Sequence, residues 1–253
     1  MTWVRIWRGG LLSLSLLITA ATPLHEAVQS EHYQEFWVWG GIHAAQIPQP
    51  AQRLYLLQGG IRLNSQNQPI FQRQGILPQL LNAPIFLVYH LETLAWNAVL
   101  KQSILNQIKA WQAYQQPVLG IQLDFDAGTK NLQYYEQFLR QVRAEFPPQY
   151  QLSITGLLDW SQNANPEVLL NLADILDEVI FQTYQGKNTI PDYARYIHSL
   201  LRLQVAFKVG VVEGADWNVA YERLLRKSPY FRGMVVFMLP RKYPIVVQTT
   251  MAF

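Results

Sequence analysis

The stretch VLGIQLDFDAGTKNLQYYEQFLRQVRAEFPPQYQLSITGLLDW, residues 118–160, reads as one strand–helix–strand passage. Along a strand, successive side chains point to opposite faces. Residues 118–125 therefore present Ile121, Leu123 and Phe125 on one face, and Gln122, Asp124 and, just beyond, Asp126 on the other. Thr129 then stands before an amphipathic stretch, 132–146, and residues 151–157 form a second strand candidate. Strands joined by a helical crossover run parallel.

The same alternation extends outward in both directions. Further strand candidates lie at 36–42, 53–59 and 85–91 before this passage, and at 178–184, 205–212 and 233–239 after it. Helix start signals stand between them: Asn97 before 98–115, Asn165-Pro166-Glu167 before 168–176, Pro191 before 193–203, and Asp216 before 219–226. Eight strand units with no glycine-rich dinucleotide fingerprint predict an α/β fold, a closed (β/α)8 TIM barrel. Only about ten residues, Pro48 and Pro50 among them, separate the first two strands, and a short proline-containing tail follows the eighth. The first and last helices are therefore expected to be short or missing.

With 253 residues, 50% of them hydrophobic and 15% charged, the chain can bury one large core, which excludes a disordered or fibrous protein. No cysteine is present, so disulfides, zinc ribbons and thiol nucleophiles are excluded together. Residues 1–21 read as a signal peptide: Arg5 and Arg8 precede an apolar run, 11–21, that ends in Thr19, Ala20 and Ala21. The run falls short of the roughly 20 residues that span a bilayer, so no stable membrane span is expected after cleavage near Ala21 or Ala27. The expected organisation is a signal peptide, 1–21, a linker, 22–35, and a barrel domain, 36–253, exported to the periplasm or the extracellular space. Without Arg5 and Arg8, 18 basic residues face 17 acidic ones, interspersed. Such a body lacks the clustered basic face that nucleic acid requires.

In a barrel, chemistry gathers at the C-terminal strand ends. Asp124 and Asp126 enter that mouth together, and mutual repulsion with desolvation would raise the proton affinity of one of them. They are the expected catalytic residues. Substrate-binding candidates at the other strand ends are Trp39, His90, Asp159, Trp160, Gln182, Tyr184 and Glu213, with Gln122 below the aspartates. Aromatic rings there offer flat faces to sugar rings. No Gly-x-Ser-x-Gly elbow, Walker loop or His-Glu-x-x-His occurs, and Asp-Phe-Asp-Ala-Gly lacks the adjacent aspartates of a polysaccharide deacetylase. No cofactor and no metal are expected.

The segment 118–160, with DEVIFQTYQG at 177–186, resembles an uncharacterised bacterial family of exported domains of unknown function, family 3142, related to barrel glycosidases. More distantly, GIQLDFD at 120–126 resembles the fourth-strand signature DGxDxDxE of family 18 glycoside hydrolases, the chitinase group, and FQTYQG at 181–186 resembles its sixth-strand MxYD segment. In that register Asp126 stands at the proton donor, Asp124 at the aspartate that steadies the acetamido group, and Tyr184 at the tyrosine. Asp126 is one methylene shorter than the usual glutamate, and Leu119, Gln122 and Gln185 replace acidic residues of the pattern. The resemblance implies an exported glycoside-hydrolase-like barrel acting on a polysaccharide, with Asp159 or Glu213 as base if the outcome is inverting. The departures support a second reading, a barrel that binds cell-envelope glycan or a protein without cleaving it. In that case a cation such as Lys208 would lock the carboxylates.

Overall fold

The computed structural model describes residues 25–240. The expected export signal, 1–21, lies outside them. Eight parallel strands close into a barrel: β1 Glu35–Val38, β2 Arg53–Leu63, β3 Ile85–Leu91, β4 Val118–Asp124, β5 Gln151–Leu157, β6 Glu178–Gln182, β7 Phe207–Val212 and β8 Phe231–Phe237. Closure rests on β1, whose Phe36 pairs with Leu54 of β2 and with Val236 of β8. The fold is a (β/α)8 TIM barrel, and the alternation along each strand divides its apolar residues into two sets. One set, with Ile121, Leu123, Ile154 and Val179, packs outward beneath the helices. The other, with Trp37, Tyr55, Phe86, Val88 and Phe237, fills the lumen. On β4 this places Ile121 and Leu123 outside, and Phe125 just past the strand packs on Tyr135 of the outer layer at 5.1 Å between ring centres.

Six helices are present among the described residues: α1 Ala98–Gln112, α2 Leu132–Glu145, α3 Trp160–Asn163, α4 Pro166–Ile175, α5 Tyr193–Leu200 and α6 Ala220–Leu225. Two caps follow the sequence signals. Asn97 Oδ1 accepts from Leu100 N at 2.8 Å, and Asn165 Oδ1 from Glu167 N at 2.9 Å, each satisfying an otherwise orphaned amide of a first turn. Thr129 instead opens a 3-10 turn, Thr129–Asn131, that leads into α2. Asp216 does not cap α6. It lies in a short strand, Asp216–Asn218, and Asn218 Oδ1 accepts from Ala220 N at 3.0 Å.

Two expectations are corrected. Between β1 and β2 the crossover is reduced to a 3-10 turn, Ala44–Gln46, as the short spacing implies, but β2 to β3 also lacks a helix. There β2 runs on to Leu63, and Asn64 Oδ1 accepts from Gln66 N and Gln68 N, both at 2.9 Å, turning the chain into an antiparallel strand, Pro69–Arg73. Gly59 marks the bend: the register with β3 shifts there, φ is +156°, and a Cβ would meet the Gln72 carbonyl at 2.0 Å. The sixth strand stops at Gln182, and Tyr184–Gln185 pairs with Asn188–Thr189 in a small hairpin over the mouth. Within the segment expected as a linker, His25–Ala27 pairs with Asp216–Asn218 and Ser30–His32 forms a 3-10 turn. Among the described residues no helix is long and apolar enough to cross a membrane.

Candidate active site at the barrel mouth

The lumen is layered. At its N-terminal end Lys208, 1% exposed, places Nζ 2.5 Å from Glu35 Oε2, 3.1 Å from Glu178 Oε2 and 2.9 Å from the Tyr55 hydroxyl. Tyr55 in turn donates to Glu178 Oε1 at 2.6 Å, and Arg53 approaches Glu178 Oε2 at 3.2 Å. Buried charges persist only where paired and hydrogen-bonded, which this network achieves. Lys208 is therefore no lock on the aspartates. Above it, Trp37 Nε1 donates to Gln122 Oε1 at 2.7 Å and Gln122 Nε2 to Ser153 Oγ at 2.8 Å. Gln122, fully buried, is thus a lumen strut rather than a substrate contact, because both ends of its amide are taken.

At the C-terminal end a cavity of about 880 Å³ opens, lined by residues of all eight strands or of the segments just beyond them. Its acidic side chains are Asp124 and Asp126; the remaining polar wall includes His90, Gln182 and Tyr184. Asp124 is 6% exposed: Thr155 Oγ1 donates to Oδ1 at 2.6 Å, and His90 Nδ1 lies 3.1 Å from Oδ2. Asp126 is exposed to the cavity and receives no hydrogen bond among the described residues. Desolvation, then the Asp124 charge, push its proton affinity above the usual carboxylate range, with His90 pulling the other way. Opposite signs operate on His90, whose affinity for a proton is raised by the hydrogen bond to Asp124 against the effect of burial.

Aromatic packing holds two of the lining side chains. Trp39 lies against Trp37 at 4.4 Å between ring centres, Tyr184 lies against Phe237 at 4.8 Å, and Trp37 stacks on Phe237 at 5.1 Å. The floor beneath the aspartates is therefore a continuous aromatic layer with little freedom to reorganise. Among the described residues the buried Tyr184 hydroxyl has no hydrogen-bond partner, and burial followed by the charges of Asp124 and Asp126 drives its proton affinity far up.

Of the sequence candidates, the structure brings together Trp39, His90, Asp124, Asp126, Gln182 and Tyr184. It sends Asp159, Trp160 and Glu213 elsewhere. Trp160 begins α3, is fully buried, and donates Nε1 to the Ala127 carbonyl at 2.8 Å, so its ring packs the outer core. Asp159 accepts from Thr129 Oγ1 and Asn163 Nδ2, which fixes the loop between β5 and α3. Glu213 accepts from Ser30 Oγ at 3.1 Å and Leu239 N at 3.2 Å, which ties the N-terminal turn to the end of β8. Neither acid lines the cavity, so neither is placed as a base. Sequence reasoning missed Gln74 and Lys187, both on the cavity wall. Gln74 follows the unforeseen hairpin strand, whose only signal is the polar run NSQNQ at 64–68. Among the described residues no group of three or more His, Asp or Glu side chains is arranged to hold a metal ion.

Residues 84–200 match the family model described as Domain of unknown function (DUF3142). The match covers a little under half of the chain, 84–200 of 253 residues. The matched segment runs from β3 through α5 and supplies His90, both aspartates, Gln182 and Tyr184, whereas Trp39 and Gln74 lie before it. No curated protein matches this sequence. Among solved structures the barrel is similar to a xylanase-A-amylase inhibitor protein, XAIP-III, at a TM-score of 0.50 and 11% identity over 81% of this chain and 93% of that one. It is also similar to a chitinase from Bacteroides thetaiotaomicron (TM-score 0.47, 9% identity, 80% of this chain and 88% of that one). A third is the chitinase domain of the spore coat protein CotE from Clostridium difficile (TM-score 0.42, 9% identity, 83% and 74%). At these identities the likeness is one of fold, and fold alone assigns no reaction.

Proposed function

We propose that the protein is an exported glycoside-hydrolase-like enzyme acting on a polysaccharide, in the periplasm or outside the cell, with Asp126 as proton donor to the glycosidic oxygen. The observation that carries this reading is the pairing of two carboxylates of unlike environment in one open cavity. Asp124 has a donor at each oxygen, while Asp126 is unbonded and holds its proton more tightly than a free carboxylate. That asymmetry is what an acid beside a charge-stabilising partner requires. Asp124 would stabilise the positive charge that develops on the sugar. Tyr184 and Gln182 would orient the ring, the phenol supplying a donor that has no partner within the protein, and Trp39 would offer a stacking face.

The second reading, glycan or protein binding without cleavage, is favoured by Leu119, Gln122 and Gln185 at positions where the glycosidase pattern is acidic. The fold does not choose between the two, since one protein sharing it is an inhibitor. The aspartates themselves speak for the enzyme: among the described residues neither is paired with Lys or Arg, the arrangement a purely binding barrel would tolerate. A screen of the purified chain against cell-wall and storage glycans, reading bound ligand and released reducing ends together, separates the two. Release of reducing ends supports the hydrolase, and binding without release supports the second reading.

A further inference from the structure

His90 sits at the end of β3, directly across the register from Asp124, the two Cα positions being paired partners. Its side chain is 46% exposed and that of Asp124 9%, so the imidazole is the more open member of a pair that lines the cavity together. Asp124 Oδ1 is taken by the Thr155 hydroxyl, which leaves Oδ2 as the acceptor for Nδ1. An oxygen that can only accept fixes the tautomer, with the hydrogen on Nδ1 and Nε2 directed away from Asp124. The pairing is written into strand register, not into loop geometry, and is therefore held wherever the barrel is folded.

We propose that His90 is a positioning residue that acts through Asp124: its Nδ1–H fixes the Asp124 carboxylate as the charged member of the pair, and its charge sets how readily Asp126 gives up the proton. This rests on the hydrolase reading above and adds a pH-dependent control to that site. His90 does not protonate the substrate. It determines which carboxyl group does. The charged and titratable groups facing it are Asp124 and Asp126 from β4 and the segment after it, and Glu92 from its own strand end. Tyr184 and Lys187 share the cavity from the hairpin after β6. Three acids surround the imidazole, and their combined effect outweighs burial, so its proton is held above the usual histidine range. While charged, the imidazolium lowers the proton affinity of Asp126, so removing that charge moves the Asp126 titration upward.

Two variants separate hydrogen bonding from charge. His90→Gln can keep a donor toward Asp124 Oδ2 and carries no charge, whereas His90→Ala removes both. The test is NMR without any substrate. Long-range imidazole nitrogen spectra give the tautomer and midpoint of His90, assigned by its disappearance in His90→Gln, and side-chain carboxyl carbon shifts give the titration of Asp126. The expected result is a hydrogen on Nδ1, a midpoint for His90 that falls in folded Asp124→Asn, and an upward-shifted Asp126 titration in both His90 variants. His90 without a hydrogen on Nδ1, or an Asp126 titration unmoved by His90→Gln, overturns the proposal. On any glycan the protein cleaves, kcat in His90→Gln should fall and its pH profile move while KM stays within about twofold, and His90→Ala should lose more. A KM effect alone, with kcat and pH profile unmoved, would also overturn it. The NMR result is read whether or not a glycan is cleaved, so its failure is distinct from failure of the hydrolase reading.

Discussion

Lys208 lies 2.5 Å from Glu35 at the N-terminal end of the lumen, and this contact separates the barrel's buried positive charge from the acid pair at its mouth. The network Lys208–Glu35–Glu178–Tyr55 is a structural floor. Lys208→Met leaves Glu35 and Glu178 facing each other with only Arg53 nearby. Breaking a buried ion pair from one side costs roughly 3–5 kcal/mol. Urea unfolding should show a loss of that order, and a loss below about 1 kcal/mol would mean the floor is not held by charge.

Gly120 is the second fixed point. It pairs with Gln151 across β4 and β5, and a Cβ there would meet the Gln151 carbonyl oxygen at 2.0 Å and its amide nitrogen at 2.6 Å. Those atoms are backbone and cannot swing aside. Gly120→Ala should destabilise by at least the 1–3 kcal/mol or so typical of overpacking, and because β4 carries the aspartates the imidazole midpoint of His90 should move as well. A variant as stable as the parent would contradict the strand spacing described.

Asp126→Asn should stabilise the protein at neutral pH. The sign follows from linkage: the folded state binds Asp126's proton more tightly than the unfolded state, whose carboxyl titrates near 3.8, so stability falls as pH rises through the folded midpoint. Asparagine does not titrate and escapes that loss. The stability of the variant relative to the parent should therefore grow with pH above about 4 and level off once Asp126 is ionised in the fold. Thermal melts across pH 3–8, or roughly that span, would show it; a difference that shrinks with pH would reverse the sign assigned to Asp126. His90, raised above its usual 6.5, stabilises the fold below that pH, and its contribution is lost as pH rises through its folded midpoint.

Tyr184→Phe distinguishes function from scaffolding. The hydroxyl has no partner among the described residues, so its removal forfeits no hydrogen bond there and should change stability by less than about 1 kcal/mol in either direction. Glycan affinity or turnover should fall nonetheless, on the order of tenfold for one lost hydrogen bond. Calorimetry of the two proteins with a bound glycan measures both. Unchanged affinity and turnover would remove Tyr184 from the site.

The barrel was legible because its signal is periodic. The split of β4 into Ile121 and Leu123 on one face and Gln122 and Asp124 on the other needs only the pleat, and the caps Asn97 and Asn165 need only helix-end chemistry. What sequence could not show is where a polar side chain finds its partner. Gln122 and Asp124 have the same facing, yet one is tied to Trp37 and Ser153 within the lumen and the other reaches the cavity, because the partners come from β1 and β5. Trp160 was expected at the mouth by its position after β5, but the chain has already turned into α3 and the ring points into the outer core. Gln74 reaches the cavity only because β2 overshoots the barrel and folds back, a length that hydrophobic alternation does not set.

The central claim is that Asp126 donates the proton. It is tested most directly by measuring released reducing ends for the parent and Asp126→Asn side by side, on a glycan that both bind. Loss of general-acid catalysis is worth about 10²–10⁴-fold, so turnover should fall by at least a hundredfold while Kd stays within a few fold. An Asp126→Asn protein that cleaves as fast as its parent would contradict the assignment.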